Sequence, residues 1–294
     1  MKKSRFLNVW LFFGMVYLLS ALLYLPILLS GIGRTTALNS VLMALVTFVP
    51  SVMGIIFIYL TRGPEERRDF WRRVFHWPRK RIKMAIAGLL ILPLLTVTSF
   101  LVASFINGVT PSLVYAVEVL TNWKTLLAFL FVEITFGAVS EELGWRGYAL
   151  DELQSRWGAL TSSLVLGLVW ALWHSPAFLI PGMPQHEMGG VFSLTYVSFL
   201  ISVSLGSILH TWVYNNTGRS ILVAGILMHI AQNATLTFLG GIFERFNMPP
   251  AYWMVVLVMT GLAAALVVIV YGPKNLTRQP GGDQRHAQRL HSTA

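Results

Sequence analysis

The sequence predicts an all-α, polytopic membrane protein with eight transmembrane helices and both termini in the cytoplasm. The first observation is composition: 55% of the 294 residues are hydrophobic and 12% are charged, about half of the roughly 25% charged residues of a soluble domain. The second is a mean hydropathy of +0.65. The third is that apolar runs long enough to cross about 30 Å of hydrocarbon recur along the chain.

The composition also limits the function. The chain has no cysteine, which excludes disulfide bonds, thiol catalysis and cysteine-bound metals. The basic residues behind its formal net charge of +10 lie between the apolar runs, so no nucleic-acid partner is predicted. A soluble enzyme, a disordered chain and a disulfide scaffold are excluded as classes.

The predicted spans begin with an apolar stretch that is too long for a signal peptide. It runs from Phe6 to Leu29, whereas the apolar part of a signal peptide has about 7–15 residues. The fourth span is the least apolar, because it contains several charged residues. The spans are approximately 7–29, 38–60, 84–106, 125–152, 159–180, 191–212, 220–240 and 251–271.

The chain divides into three predicted regions. Residues 1–121 form an N-terminal three-helix membrane region with a basic loop at 61–83. Residues 122–272 form a second membrane region, which holds most of the polar residues inside spans. Residues 273–294 have little apolar content and are predicted to be a disordered cytoplasmic tail.

The distribution of basic residues predicts the orientation. With both termini inside, eight spans place 19 of the 22 lysines and arginines in the cytoplasm and leave Arg34, Lys124 and Arg245 outside. Lysine and arginine concentrate in cytoplasmic loops, so this split favours both the orientation and the even number of spans. The predicted location is the cell membrane, as a multi-pass protein.

The basic loop at 61–83 contains a predicted amphipathic helix over Pro64–Trp77. Its apolar residues recur at helical spacing, and arginines fill the other face; the arginines are Arg67, Arg68, Arg72 and Arg73. Such a helix lies in the membrane interface and attracts anionic headgroups. We therefore predict anionic lipids as partners of this loop, which serves either as an orientation anchor or as a dock for substrate.

Charged side chains inside spans are costly, by roughly 2.5–3.5 kcal/mol, and mark functional candidates. In the fourth span Glu142 and Arg146 are four residues apart with the acid first, the order that favours a side-chain pair. Glu141 lies about 100° around the helix, with Trp145 rather than a charge four residues later. The sequence thus predicts one paired and one free carboxylate, and a free one suits a general base. An ordinary ion pair at a solvated helix end is the alternative.

Two other spans contain polar motifs. In the fifth, His174 follows Trp170 and precedes Pro176, which can kink the helix beside the imidazole. In the seventh, His229 and Asn233 are four residues apart and share one helix face. The structural alternatives are a hydrogen-bonded core histidine and a polar contact between helices.

The side chains of the three motifs lie at similar depths in the membrane if the fourth helix continues past Arg146 to about Glu152, at a rise of 1.5 Å per residue. The side chains compared are Glu141, His174, His229 and Asn233. Glu133 lies two turns before Glu141 on a similar face, and we expect it to make a structural contact. We expect His210 to be an interface residue near the end of the sixth span.

Together, the three motifs resemble those of the CPBP intramembrane proteases, a group that includes CAAX prenyl endopeptidases and bacterial Abi-type proteins. That family shows E-E-x-x-x-R, an aromatic residue with x-x-x-H, and H-x-x-x-N or -D on successive membrane helices of an eight-helix protein. The matching residues are Glu141, Glu142, Arg146, Trp170, His174, His229 and Asn233. Trp170 replaces the usual phenylalanine, and the resemblance covers about residues 125–240.

The resemblance implies hydrolysis of a peptide bond in a membrane-associated or lipidated protein substrate. By that likeness Glu141 would activate a water with the help of His174, and His229 and Asn233 would stabilise the oxyanion. The supporting residues would be Glu142, Arg146 and Trp170.

The resemblance leaves metal use open. We expect no cofactor, because a carboxylate base with preorganised hydrogen-bond donors suffices for acyl transfer to water. The alternative is a Zn²⁺ enzyme with Glu141, His174 and His229 as ligands, since two histidines and a glutamate are a known zinc set with an open position.

A non-catalytic protein is the alternative from another class. It would be an immunity protein that binds a peptide, or a transporter. The polar residues are concentrated in one half of the chain, which argues against the paired halves of a transporter. A role by binding alone would survive loss of Glu141.

Overall fold

The computed structural model describes residues 2–33, 36–240 and 248–278, with only the backbone described for 2–7. Within these ranges the chain is helical and contains no strand, which confirms the all-α prediction. Arg34 and Arg245, which entered the orientation count, lie outside the described residues.

The helices follow one another with short connections. They are α1 (Lys2–Ser30), α2 (Ala37–Thr61), α3 (Pro64–Val74), α4 (Ile82–Asn107), α5 (Val114–Thr121), α6 (Trp123–Val132), α7 (Ser140–Gly144), α8 (Leu150–Gln154), α9 (Ala159–Trp173), α10 (Pro184–Glu187), α11 (Leu194–Asn216), α12 (Met228–Gly240) and α13 (Tyr252–Tyr271). Two π-helical segments, Glu133–Val139 and Trp145–Ala149, join α6, α7 and α8. We call the resulting continuous helical stretch, residues 123–154, the site helix.

Seven described helical segments are long and apolar enough to cross a membrane, and they correspond to seven of the eight predicted spans. The segments are Asn8–Ser30, Ala37–Thr61, Arg79–Asn107, Ala159–Leu179, Leu194–Asn216, Leu222–Gly240 and Tyr252–Tyr271. The remaining predicted span, 125–152, corresponds to the site helix, which carries buried charges. The expected continuation of this helix past Arg146 is confirmed, since it runs to Gln154.

A side chain of α2 interrupts the backbone ladder of the site helix. The Ser51 hydroxyl donates to the carbonyl of Val139 at 2.8 Å and accepts the amide N–H of Leu143 at 3.1 Å. In a regular α-helix that N–H would bond to the Val139 carbonyl directly. The inserted hydroxyl satisfies both backbone groups between the two π segments, where widened turns recur at functional sites.

Direct backbone contact fixes the depth of the site helix against α2. A Cβ on Gly144 would lie 2.2 Å from the carbonyl oxygen of Pro50, and one on Gly54 would lie 2.7 Å from the Gly144 Cα. A larger residue at either glycine would force the two helices apart. This close approach therefore holds Glu141 and Glu142 at a fixed height beside α2.

The loops predicted to share one side of the membrane lie at one end of the bundle. There Arg62, after α2, pairs with Glu152 at the end of the site helix. At the opposite end, the backbone N–H of Ala251 donates to the Asn107 side chain at 3.0 Å. This relative arrangement agrees with the predicted topology, and the cytoplasmic orientation of the termini stays a prediction.

Two aspartates and two arginines form ion pairs that join α3 to the site helix and to the loop after α11. We call Asp69, Arg73, Asp151 and Arg219 the ionic cluster. Arg73 lies 2.9 Å from Asp69 and 3.0 Å from Asp151, and Arg219 pairs with Asp151 and lies 3.4 Å from Asp69. Burial acts to raise the pKa of Asp69, but Arg73 and Arg219 outweigh it and hold that pKa below its usual value. Arg72 also pairs with Asp69, so each carboxylate in the cluster has at least two arginine partners.

The predicted amphipathic helix is present as α3 but ends at Val74 rather than at Trp77. Phe70 and Val74 are buried against the protein, whereas Phe75 is 75% exposed. Arg73, expected on the lipid-facing side with the other arginines, is buried in the ionic cluster. The prediction was wrong for Arg73 because carboxylates from α3 itself and from the site helix offer it a better environment than headgroups.

The C-terminal segment is ordered at its beginning. The carbonyl of Lys274 accepts the N–H of Ala159 at 2.7 Å, and the carbonyl of Leu276 accepts the Asn216 amide at 2.7 Å. Disorder from residue 273 was therefore the wrong expectation for 273–278, because these residues accept hydrogen bonds from the first backbone N–H groups of α9 and from asparagine side chains of α11. Residues 279–294 of the predicted tail lie outside the described residues.

Candidate active site

Glu142 is completely buried and binds two nitrogen donors. Its Oε1 accepts from Nη1 of Arg146 at 2.7 Å and from Nδ1 of His229 at 2.9 Å. The exposed fractions of the Glu142 and Arg146 side chains are 0% and 1%. The ion pair predicted from their spacing is confirmed, and the histidine of the seventh predicted span joins it.

A glycine allows Glu142 to reach His229. Gly225 lies four residues before His229 in the π-helical segment Leu222–Leu227. A Cβ on Gly225 would lie 2.9 Å from Oε2 of Glu142. The missing side chain leaves room for the carboxylate between the two helices, and the tertiary contact brings the first and third motifs together.

Glu141 is buried and has indole donors rather than a cation as partners. Its Oε2 accepts the indole N–H of Trp170 at 2.6 Å and that of Trp145 at 3.3 Å. The expectation of a free carboxylate was therefore wrong in one respect: Glu141 lacks an ion pair in the described structure, but two neutral donors hold it. The residue at its i+4 position, taken as no partner, is one of them.

Trp170 contacts residues of all three motifs. Besides its bond to Glu141, its ring lies 4.3 Å from the guanidinium carbon of Arg146. Its ring centroid lies 5.7 Å from that of His174 and 5.4 Å from that of His229. The aromatic residue of the second motif thus separates the two histidines and covers the buried arginine, a favourable cation–π arrangement.

His174 stands where α9 ends and a 3₁₀ turn, Ser175–Leu179, begins. Pro176 cannot donate the next helical hydrogen bond, which explains why the helix stops here. Nδ1 of His174 lies 2.9 Å from the carbonyl oxygen of Trp170. Because a carbonyl only accepts, Nδ1 carries the proton and Nε2 of the neutral ring is left as an acceptor.

Asn233 follows His229 by one turn on α12, as predicted, but its described neighbour is Glu133. The Asn233 Nδ2 and the Glu133 Oε2 lie beside the same glycine, 3.2 Å and 3.4 Å from the position of a Cβ on Gly137, and Thr237 donates to Glu133 Oε1 at 3.3 Å. Glu133 was expected to make a structural contact, and the structure brings it next to α12, which carries the third motif. His229 therefore contacts Glu142, whereas Asn233 faces Glu133.

Three residues of the site have contacts that the sequence analysis missed. Trp145 could have been found, because it stands four residues after Glu141, the spacing that also predicted the Glu142–Arg146 pair. His210, expected at an interface, is buried with its ring 6.2 Å from that of Trp170. No local pattern signals that contact or the contact of Glu133 with α12, because both depend on how distant helices pack.

The zinc alternative can be compared with the donor atoms present. Among the described residues, no three histidine, aspartate or glutamate side chains are grouped so that they could hold a metal ion. Of the three ligands considered, His229 has its Nδ1 on Glu142, and Glu141 has one oxygen on two indoles. A histidine Nδ1 held by a carboxylate also occurs in metal sites, so metal independence stays a prediction, and we derive no step through a metal.

Known proteins resemble the part of the chain that holds these residues. Residues 122–235 match a family described as Type II CAAX prenyl endopeptidase Rce1-like. CAAX prenyl protease 2 from Methanococcus maripaludis is 28% identical over 186 residues, covering 63% of this chain and 67% of that relative. The matched range includes all three motifs. Over this range the chain is similar to the type II CAAX prenyl endopeptidases of the CPBP family, and both matches support a membrane protease of that kind.

Proposed function

We propose that this protein is a membrane endopeptidase of the CPBP family and cleaves a lipidated or otherwise membrane-associated protein, with Glu141 as the general base. The observation that carries the proposal is the contrast between neighbours. The Glu142 carboxylate is hydrogen-bonded to Arg146 and His229. In the described structure, Glu141 accepts hydrogen bonds only from neutral indole N–H groups. A buried carboxylate without a cation is the better base.

The geometry supports a role for one oxygen of Glu141. Both indoles donate to Oε2, so they orient the carboxylate while Oε1 accepts a hydrogen bond from a water. Glu141 takes a proton as the water oxygen bonds to the peptide carbonyl carbon. It then returns that proton to the departing amine nitrogen as the C–N bond breaks. Nε2 of His174, with its proton on Nδ1, accepts the second hydrogen bond of the water.

The oxyanion needs donors, and His229 and Asn233 can supply them. Since Nδ1 of His229 binds Glu142, its Nε2 can donate only if the ring is doubly protonated. The charge balance of the site allows this, because Glu141 and Glu142 then face Arg146 and an imidazolium. A preorganised donor of this kind is worth about 10²–10³ in kcat.

Metal independence is part of the proposal. Exhaustive chelation of the purified protein should leave its activity intact, and the protein should hold far less than one zinc per chain. Stoichiometric zinc, with activity lost on chelation and restored by zinc, would make Glu141, His174 and His229 ligands instead. That result would replace the metal-free account.

The substrate and the setting follow from the family and the charge pattern. A CAAX-type peptide carrying a prenylated cysteine is the proposed probe, since the matched family and relative are named for that activity. The proposed setting is the cell membrane with both termini in the cytoplasm. The arginines of loop 61–83 other than the buried Arg62 and Arg73 are proposed to contact anionic lipid headgroups.

A cleavage assay tests the proposal. Glu141→Gln keeps the shape but removes the base, so cleavage of a fluorogenic farnesylated CAAX peptide should fall by about 10²–10⁴. Glu187→Gln, at the exposed last residue of the short helix α10, is the matched control and should cleave normally. Full activity of Glu141→Gln would end the proposed mechanism, and absence of cleavage by the wild type in membranes would favour a binding protein.

A further inference from the structure

Glu133 is a third glutamate of the site helix that the proposed mechanism does not use. It is buried in the π-helical segment Glu133–Val139, one of two segments that flank Glu141 and Glu142. Its contacts run to α12, which also carries His229 and Asn233. Burying a carboxylate inside a membrane protein costs free energy. The position of Glu133 next to the proposed catalytic amide of Asn233 therefore suggests a function.

Polar groups of α12 lie near both oxygens of Glu133. The Thr237 hydroxyl donates to Oε1 at 3.3 Å, and the Asn233 side chain faces Oε2 across the space beside Gly137. A Cβ on Gly137 would lie 3.2 Å from the Asn233 Nδ2 and 3.4 Å from the Glu133 Oε2. The glycine therefore opens the space in which the amide nitrogen and the carboxylate meet.

We infer that Glu133 is a positioning residue, which fixes the orientation of the Asn233 amide for oxyanion stabilisation. The inference rests on the proposed function, in which Asn233 is a donor. An asparagine amide has a donor end and an acceptor end of nearly equal shape, and rotation exchanges them. A carboxylate only accepts, so it binds the NH₂ end and rejects the carbonyl end.

This orientation leaves the second hydrogen of the Asn233 NH₂ group for the substrate. In the reversed orientation the amide oxygen would take the place of the nitrogen, and an oxygen there would repel the developing oxyanion. Thr237 in turn holds Glu133, and Glu133 orients Asn233. In this inference only Asn233 contacts the reacting atoms.

Three variants assayed with the farnesylated CAAX peptide test this assignment. Glu133→Leu removes the acceptor, and kcat should fall about 10- to 100-fold, as expected for a misplaced donor, while KM changes little. Thr237→Val should cause a smaller loss of the same kind, and it keeps the test open if the leucine variant folds poorly. Glu187→Gln remains the matched charge-loss control.

A double-mutant cycle separates positioning from other roles. Asn233→Ala should lower kcat by about 10²–10³, and adding Glu133→Leu or Thr237→Val to it should cause no further loss, because the amide they orient is gone. The pH profile of the Glu133→Leu variant should keep the shape of the wild-type profile. A profile that loses one limb would mean that Glu133 itself transfers a proton.

The outcomes distinguish the inference from the proposed function. If Glu133→Leu and Thr237→Val cleave like the wild type, the positioning role is wrong and the protease mechanism stands. A full additional loss in the Asn233→Ala background would also overturn it, since Glu133 would then act through another group such as His229. If the wild type does not cleave the peptide, the proposed function fails and the inference fails with it.

Discussion

The ionic cluster is a largely buried group of charges and the candidate active site is a fully buried one, and their carboxylates have different partners. In the ionic cluster, Asp69 and Asp151 each contact at least two arginines. In the active site, Glu142 has Arg146 and His229, while Glu141 next to it has two indole donors and no cation in the described structure. Every acid of the ionic cluster is bonded to cations, whereas the active site contains one acid that is bonded only to neutral donors in the described structure.

This difference separates stability from chemistry. A carboxylate held by two guanidinium groups is stabilised in its charged form and is a poor base. A carboxylate held by neutral donors keeps its geometry and remains able to take a proton. The comparison teaches that the partner set, rather than burial alone, distinguishes a structural acid from a candidate catalytic one.

The largest stability effect should come from breaking the saturated pair inside the active site. Glu142→Gln leaves Arg146 without its charge partner in a fully buried position, a cost of about 3–5 kcal/mol. Arg146→Gln should cost a similar amount, and the double variant should be more stable than either single variant. Thermal unfolding of the three proteins in one detergent checks this; equal melting temperatures would mean that the pair is not truly buried.

A smaller loss of stability is expected in the ionic cluster. Asp151→Asn weakens the contacts of Arg73 and Arg219 and should cost about 1–3 kcal/mol, since the Asp151 side chain is 24% exposed and partly screened. Activity per folded molecule should be retained, because the cluster lies at the end of the site helix. A loss of turnover at unchanged melting temperature would contradict the structural role.

Whether the sequence predicts a contact depends on how far apart the two contacting residues are along the chain. The Glu142–Arg146 pair and the helical continuation to Gln154 follow from local spacing and are confirmed. The bond between Glu142 and His229 joins residues 87 apart, and only the packing of α12 on the site helix creates it. The catalytic roles and the membrane orientation stay predictions.

Most of the contacts that the sequence analysis missed are also contacts between residues far apart along the chain. The buried position of Arg73 and the insertion of Ser51 into the site helix depend on neighbours that no periodicity reveals. The indole bond from Trp170 to Glu141 spans 29 residues. Hydrophobic patterns locate the helices, but they carry no information about which polar side chains meet between them.

The indole donors offer a finer test of the comparison. Trp170→Phe introduces the residue usual in the second motif of the family and removes the 2.6 Å bond to Glu141 Oε2. Trp145 still donates, so kcat should fall about 3- to 10-fold, within the range of a lost hydrogen bond of about 0.5–1.5 kcal/mol. Steady-state kinetics of this variant would contradict the orienting role if kcat were unchanged and only KM rose.

The smallest expected effect is a pH dependence from the ionic cluster. The folded-state pKa of Asp69 lies below its usual value because of Arg73 and Arg219. Its contribution to stability is therefore complete above the unfolded pKa of about 4 and is lost as the pH falls through the lower folded value. Melting temperatures should drop more steeply below about pH 4 in the wild type than in Asp69→Asn, and parallel curves would contradict the assignment.

The most direct test of the central claim measures turnover and melting temperature together for Glu141→Gln and Asp151→Asn, which make the same chemical change in the two regions. Glu141→Gln should lose about 10²–10⁴ in turnover with a melting temperature near that of the wild type. Asp151→Asn should unfold at a lower temperature and keep its turnover. The opposite pattern, a stable but inactive Asp151→Asn beside an active but unstable Glu141→Gln, would contradict the division between the two clusters.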